Sequence, residues 1–179
     1  MVTTARALGR LFDIGAGIIP VDLNTGANTG KRISMQDCGG ITFVLFAGVG
    51  TAASDMQCDL QEHTAYTGGT SADLDIITKY YNKQELALDN DESWVEVSQT
   101  AASEITDTGG AGTSGEHQQI VVIEVGAEQL SDGYTHLSMN VPQIGAAKIG
   151  CCLYIKHDLK VQRKPANLPN LLNPGAANA

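Results

Sequence analysis

The fold is decided by a short apolar run, ITFVLFA at residues 41–47. Its length is that of a β-strand, and it is rich in β-branched and aromatic residues, which favour strands. Two more runs share this character, QIVVIEV at residues 119–125 and IGCCLYIK at residues 149–156. We therefore expect a strand at each of the three places.

Other segments alternate between apolar and polar residues, which is typical of a strand with one buried face. In residues 56–63, MQCDLQEH, the side chains of Met56, Cys58 and Leu60 would face inward. Residues 135–141, THLSMNV, alternate in the same way. Further strands are predicted at residues 33–36, 74–81 and 93–98. The second of these also fits one face of a helix, and its β-branched and aromatic residues favour the strand.

Glycine-rich and polar segments separate these strands, as turns and loops do. They lie at residues 48–54, 64–72, 89–92, 106–115 and 126–133. Seven or eight short strands with such connections predict an all-β fold, an antiparallel β-sandwich or jelly roll. A chain of 179 residues has the length of one compact domain with tails. We place the β-sandwich body at residues 31–158.

The two ends of the chain differ from this body. Residues 1–30 contain apolar side chains without a sustained period, and Gly15, Gly17 and Pro20 interrupt any helix. Residues 159–179 hold three of the five prolines, which excludes a central strand there. We expect an extended N-terminal arm and an extended C-terminal arm.

The net charge of −9 is unevenly distributed along the chain. Residues 37–147 carry −15, whereas residues 1–36 carry +2 and residues 148–179 carry +4. An acidic body repels nucleic acid phosphates, so we expect no nucleic acid partner. Basic ends would seek an acidic surface on a partner or on a neighbouring copy, although an acidic body also simply favours solubility.

The four cysteines do not form a metal or redox motif. Cys151 and Cys152 are adjacent, so their side chains would point to opposite faces of a strand, and Cys38 and Cys58 lack ligand spacing. We expect reduced thiols that pack as small apolar side chains, an intracellular site of synthesis, and neither a metal nor a cofactor. No run of 18 apolar residues occurs, so no membrane-spanning helix is expected.

Three patterns come close to known catalytic or binding motifs. Cys58 and His63 would form a nucleophile–base pair if the fold brought them together. The glycine-rich turn at residues 48–53 follows a strand but lacks the lysine and the helix of a phosphate-binding loop. Residues 89–92, DNDE, lack the frame of a calcium loop and are typical of a hairpin turn. None of the three predicts an enzyme.

Several segments, in their order along the chain, carry a resemblance to a known group of proteins. They are GRLF (9–12), IPVDL (19–23), GANTG (26–30), FVLFAGVGT (43–51), LQ (60–61), QIVVIEV (119–125), AEQL (127–130), GAA (145–147) and LYI (153–155). In these the chain resembles small structural proteins of tailed-bacteriophage virions, of the capsid decoration (cement) type. The likeness covers the first arm and most of the body, and it contains no catalytic signature.

The resemblance implies a non-enzymatic protein, often a homotrimer, that binds the outer shell of a capsid and stabilises it by bridging major capsid protein subunits. Such a protein is made in the host cytoplasm and resides at the capsid surface. The residues expected to contact the capsid or a neighbouring copy lie in the two arms: Arg6, Leu8, Arg10, Leu11, Phe12, Ile14, Arg163, Lys164, Leu168, Leu171 and Leu172. Three alternatives stay open: another virion component (a neck, tail or fibre-attachment protein), a carbohydrate- or host-surface-binding β-sandwich module, and a hydrolase with an unrecognised site.

Overall fold

The computed structural model describes residues 7–52, 54–110 and 114–165. Over these residues the chain forms eleven β-strands and two short 3-10 turns at Ser114–Glu116 and Ala127–Gln129. The strands build two antiparallel sheets that pack together over a shared core, which confirms the all-β sandwich. The described part holds no helix that is long and apolar enough to cross a membrane.

The strands pair in two separate sets. In chain order they are β1 (Phe12–Asp22), β2 (Ile33–Ser34), β3 (Gly40–Ala47), β4 (Cys58–His63), β5 (Ser71–Asp73), β6 (Ile77–Glu85), β7 (Val95–Ala102), β8 (Glu104–Ile105), β9 (Gln118–Gly126), β10 (His136–Asn140) and β11 (Ile149–His157). The larger sheet has the order β1-β11-β3-β9-β6-β7. The smaller sheet has the order β2-β10-β4-β5, and β8 also pairs with β4.

The hydrophobic core lies between the two sheets. Phe43 of β3 and Ile123 of β9 enter it from the larger sheet, and Leu60 of β4 and Met139 of β10 enter it from the smaller sheet. All four side chains are buried. Because side chains alternate along a strand, each sheet turns one face to this core and the other face outward.

Every strand predicted from the sequence is present, with ends displaced by a few residues. The ambiguous segment at residues 74–81 contributes to β6, where Ile77 and Tyr80 are buried in the core. Residues 89–92 lie in the connection of the antiparallel pair β6 and β7, and Asn90 turns the chain there with a φ of 82°. The sequence did not predict β1, β5 or β8.

The N-terminal segment differs from the arm expected at residues 1–30. Much of it forms β1, the edge strand of the larger sheet, which is paired along β11. Gly15 does not end this strand, because its missing side chain makes room for the ring of Tyr154 on β11. Pro20 lies at a shift of register, and an edge strand tolerates both a proline and a bulge. The boundary at residue 30 therefore falls inside the folded body.

The described part of the expected C-terminal arm, residues 159–165, returns to the N-terminal end of the same chain. The amide of Arg163 donates to the carbonyl oxygen of Gly9 over 2.8 Å. The amide of Gly9 donates in turn to the carbonyl oxygen of Phe12 at the start of β1, also over 2.8 Å. The two ends of the described chain thus meet at the β1 edge of the larger sheet, and residues 166–179 lie outside the described residues.

Candidate functional site

The larger sheet turns apolar side chains outward as well as inward. In β3, β9 and β11 the residues next to the core-facing ones point away from the core. The register places Leu153, Val44 and Val122 side by side, so they form a row across three adjacent strands. Beside this row Phe46 is 44 % exposed, and Leu153 within it is 38 % exposed.

The apolar row continues toward both edges of the sheet. On β1, Ala16 pairs with Leu153 and extends the row, and Ile14 pairs with Ile155 in the adjacent row. On β6, Tyr81 pairs with Val122, and the two share a shallow hollow with Trp94, the single tryptophan of the chain. We call this set the outer face: Ile14, Val44, Phe46, Tyr81, Trp94, Ile120, Val122, Leu153 and Ile155. It crosses the larger sheet from β1 to the β6–β7 hairpin.

A groove of about 660 Å³ adjoins the β1 end of the outer face. Leu11 and Phe12 of the N-terminal turn line one side, and Gln129 of the second 3-10 turn lines the other. Thr42 and Ile155, which pair across β3 and β11, form its floor. The groove therefore has an apolar lining with polar side chains at its rim. Such a lining suits a ligand that has both apolar and polar groups.

The structure brings together part of the residues that the sequence singled out. Leu11 and Phe12 line the groove, and Ile14 belongs to the outer face. Exposed side chains near the same corner, where the chain ends meet, are Leu8, Arg10, Arg163 and Lys164. Outside the described residues lie Arg6, Leu168, Leu171 and Leu172.

The sequence reasoning missed the central strands of the outer face, although a signal for them was present. Residues 41–47, 119–125 and 149–156 are apolar at successive positions, whereas a strand with one solvated face alternates. A continuous apolar run indicates that the second face of the strand is covered or binds something. Within the described residues, nothing covers this face.

The charge of the C-terminal region is smaller at the surface than the sequence suggested. Lys148 and Lys156 contribute to the +4 of residues 148–179, yet both are buried. Burial lowers the pKa of each of these amines. Lys148 Nζ donates a hydrogen bond to the carbonyl oxygen of Gly115 over 3.1 Å, so the amine of this lysine binds inside the protein and not at its surface. Of the basic side chains in residues 148–179, those from residue 160 onward are the ones that a partner could contact.

The outer side of the smaller sheet is polar, and it contains a serine–histidine contact. His63 Nε2 lies 2.8 Å from Ser138 Oγ, and His63 Nδ1 lies 2.8 Å from Ser71 Oγ. Burial, with repulsion from the Arg32 guanidinium, lowers the pKa of His63 to about 4. The imidazole is therefore neutral near pH 7. Ser138 and His63 are 1 % and 3 % exposed, so a substrate has no access to the pair, and its role is structural.

The fold does not bring Cys58 and His63 together as a nucleophile–base pair. The two residues have opposite parity in β4, so Cys58 points into the core while His63 points outward. Burial raises the pKa of the Cys58 thiol to about 12, which leaves it protonated and unreactive. All four cysteines are free thiols, and Cys151 and Cys152 point to opposite sides of β11 as expected.

Four carboxylates meet in the connection between β6 and β7. The side chains of Glu85, Asp89, Asp91 and Glu92 place oxygen atoms within 4.8 Å of one another. A hydrogen bond and repulsion from Asp89 raise the pKa of Asp91. The backbone amide of Asp89 donates a hydrogen bond to Glu92 Oε1 over 2.6 Å, and this bond closes the turn. Carboxylate oxygens are ligands that Ca²⁺ prefers, so the cluster offers the donor atoms of a cation site. The hydrogen bonds within it, however, are those of an ordinary surface turn.

Comparison with protein-family models, with curated proteins and with solved structures gave no match. The candidate functional site consists of the outer face and the groove. Both belong to the larger sheet, and neither is covered by another part of the described chain.

Proposed function

We propose that the protein is a non-enzymatic structural protein of a tailed-bacteriophage capsid. It binds the outer shell through the outer face and bridges neighbouring major capsid protein subunits. The observation that supports this best is the row Leu153, Val44 and Val122, which runs uncovered across three adjacent strands of the described chain. A contiguous apolar patch on a folded domain favours a protein interface, because its exposure to water is unfavourable. The sequence resemblance to capsid decoration proteins supports the major capsid protein as the partner.

Apolar contacts rather than charges would supply most of the affinity. Complete burial of a leucine or phenylalanine side chain contributes roughly 1.5–3 kcal/mol. Phe46 and Leu153 still have two-fifths of their surface to bury on docking. Surface ion pairs contribute about 0–1 kcal/mol each. The acidic body and the few exposed bases would therefore set the orientation and the speed of docking.

One observation favours a second candidate, a carbohydrate- or host-surface-binding module. Trp94 is 49 % exposed beside Tyr81, and Lys83 Nζ lies 5.0 Å from the centre of the Trp94 ring. Exposed aromatic rings with adjacent polar groups offer an apolar body and a polar edge to a ligand. This patch is a small part of the outer face, so the interface with a protein shell accounts for more of the observed surface.

A matched pair of substitutions tests the proposed interface. Leu153→Glu puts a charge in the middle of the outer face, whereas Leu86→Glu makes the same change at an exposed leucine in the β6–β7 connection. Attachment to shells that lack the protein should weaken at least tenfold for Leu153→Glu, or about 1.4 kcal/mol, and stay unchanged for Leu86→Glu. Equal attachment of both variants would exclude the outer face as the interface.

The copy number in purified virions separates the capsid proposal from its alternatives. A shell protein is present in hundreds of copies, whereas a neck or tail-tip protein is present in about a dozen. A carbohydrate-binding module would bind a glycan array without any shell. Quantitative mass spectrometry of virions against the major capsid protein, with a glycan array beside it, gives a different result for each function.

A further inference from the structure

We propose that the groove is the docking site of the protein's own C-terminal segment, residues 166–172, which follow directly on the described chain. The proposal concerns the free protein, so it holds or fails independently of the capsid function. It rests on three observations: where the chain leaves the described part, how long the segment is, and which side chains it carries.

The described chain ends beside the groove. Arg163 is hydrogen-bonded to Gly9, and Gly9 is hydrogen-bonded to Phe12, which lines the groove together with Leu11. Two hydrogen bonds, each 2.8 Å long, thus link Arg163, two residues before the end of the described chain, through Gly9 to Phe12 in the wall of the groove. The described chain therefore ends close to the β1 side of a groove that no other described residue covers.

The segment is long enough to cross the groove. Seven extended residues after Pro165 span about 22 Å at about 3.1 Å per residue. The groove is bordered by residues of β1, β11, β3 and β9, which are four neighbouring strands. Neighbouring strands lie about 4.8 Å apart, so this width is about 14 Å. A segment of this length is therefore long enough to cross the groove from the β1 side to the Gln129 side.

The side chains of the segment match the groove. Its sequence, ANLPNLL, carries three leucines and two asparagines but no charged side chain. The leucine side chains would pack against Phe12 and Ile155. The asparagine amides would form hydrogen bonds with Gln129 and Glu124 at the rim. A proline keeps such a peptide extended, and extended proline-containing peptides bind in grooves lined by aromatic side chains.

The same chain is the favoured source of the segment. From the sequence, we expect the basic ends of the chain to seek an acidic surface on a partner or on a neighbouring copy. The structure changes this expectation, since the groove begins where the chain leaves the body. A short tether holds its segment at an effective concentration in the millimolar range, far above that of another copy in dilute solution.

Amide NMR spectra of the full chain test the proposal. The triple variant Leu168→Ser, Leu171→Ser, Leu172→Ser should shift the amide resonances of Thr42 and Ile155 and leave those of the smaller sheet in place. The control variant Asn173→Ser, Asn178→Ser lies beyond the segment and should shift neither. Unchanged resonances of Thr42 and Ile155 in the triple variant would overturn the proposal.

A mixed sample distinguishes the second possible occupant. Labelled triple variant is mixed with an excess of unlabelled natural protein, whose C-terminal segment is intact. If the segment docks on its own chain, the resonances of Thr42 and Ile155 stay at their positions in the triple variant. Their return to the positions of the natural protein would show that a neighbouring copy fills the groove, and the proposal would be wrong.

Discussion

Phe43 and Phe46 lie three residues apart in β3 and point to opposite sides of the larger sheet. Phe43 is fully buried between the sheets, whereas Phe46 belongs to the outer face and keeps 44 % of its surface exposed. The same amino acid therefore serves two purposes in one strand. The buried ring stabilises the fold, and the exposed ring is available to a partner.

This difference gives a prediction about stability. Phe43→Ala should lower the free energy of unfolding by about 3–5 kcal/mol, because it leaves a cavity in the core. Phe46→Ala should lower it by only about 1–2 kcal/mol, since 44 % of the surface of Phe46 is already exposed to water. Chemical denaturation of the two variants measures both values. Similar losses would contradict the assignment of inner and outer faces.

His63 predicts how stability changes with pH. Its pKa is about 4 in the folded protein and about 6.5 in the unfolded chain, where the imidazole is free. Between these values the unfolded chain binds a proton that the folded protein does not, so stability falls as the pH falls. The loss is at most about 1.4 kcal/mol per pH unit for one proton. His136 adds to it, because burial lowers its pKa too.

The variant His63→Gln isolates this contribution. Glutamine keeps a donor and an acceptor for Ser71 and Ser138 but does not titrate. Denaturation curves between pH 7.5 and pH 4.5 should show a shallower loss of stability in the variant, with the remainder due to His136. An identical slope in both proteins would show that His63 is not buried in its neutral form.

At the level of elements, β1 is the strand whose role changed most between sequence and structure. The apolar residues of the N-terminal segment were interpreted as an arm for a partner. In the structure Ile18 enters the core, while Ile14 joins the outer face. One edge strand thus contributes to the stability of the sandwich and to its candidate interface.

Two truncations separate these contributions. Removal of residues 1–10 leaves β1 intact and should change the free energy of unfolding by less than about 1 kcal/mol. Removal of residues 1–22 strips β1 from β11 and should cost more than about 3 kcal/mol, because burial of Ile18 alone contributes roughly 1.5–3 kcal/mol. Denaturant midpoints compare the two. Equal midpoints would mean that β1 does not support the fold.

For the whole molecule, the two sheets give the sandwich an apolar side and a polar side. The outer face carries Phe46 and Leu153, whereas the half-exposed outward positions of the smaller sheet carry polar residues such as Asp59, Gln61 and Asn140. A protein bound to a shell has this asymmetry, since one side meets the partner and the other meets water. Under the proposed function, the two faces predict which side of the protein would lie on the shell.

The assembled state should be a closed, symmetric cluster of copies. Closed rotational symmetry satisfies every interface once, whereas open chains leave one unpaired. Three copies is the number that the resemblance to capsid decoration proteins favours, because three-fold positions of a shell present matching patches. Mass measurement of protein released intact from shells should give three times the 18.8 kDa of one chain. Isolated copies on the shell would contradict the trimer.

The sequence by itself determined the fold class and most of the strands. The pattern of ITFVLFA at residues 41–47 and its counterparts at 119–125 and 149–156 is local, and local alternation or apolarity is enough to mark a strand. It did not reveal β1, because glycines and a proline suggest an interrupted segment until Tyr154 is known to fill the space beside Gly15. Strand pairing joins residues far apart in the chain, and no local pattern encodes it.

The candidate interface was decided by the tertiary structure. From the sequence, we expect Leu11, Phe12 and Ile14 to contact the capsid or a neighbouring copy. Their alignment with Leu153 and Val122 depends on the order β1-β11-β3-β9-β6, which only the folded chain establishes. Burial is likewise a property of the whole fold, which is why Lys148 and Lys156 counted as surface charge in the sequence and lie inside the protein. A sequence shows which side chains are apolar or charged, and only packing decides which of them water can reach.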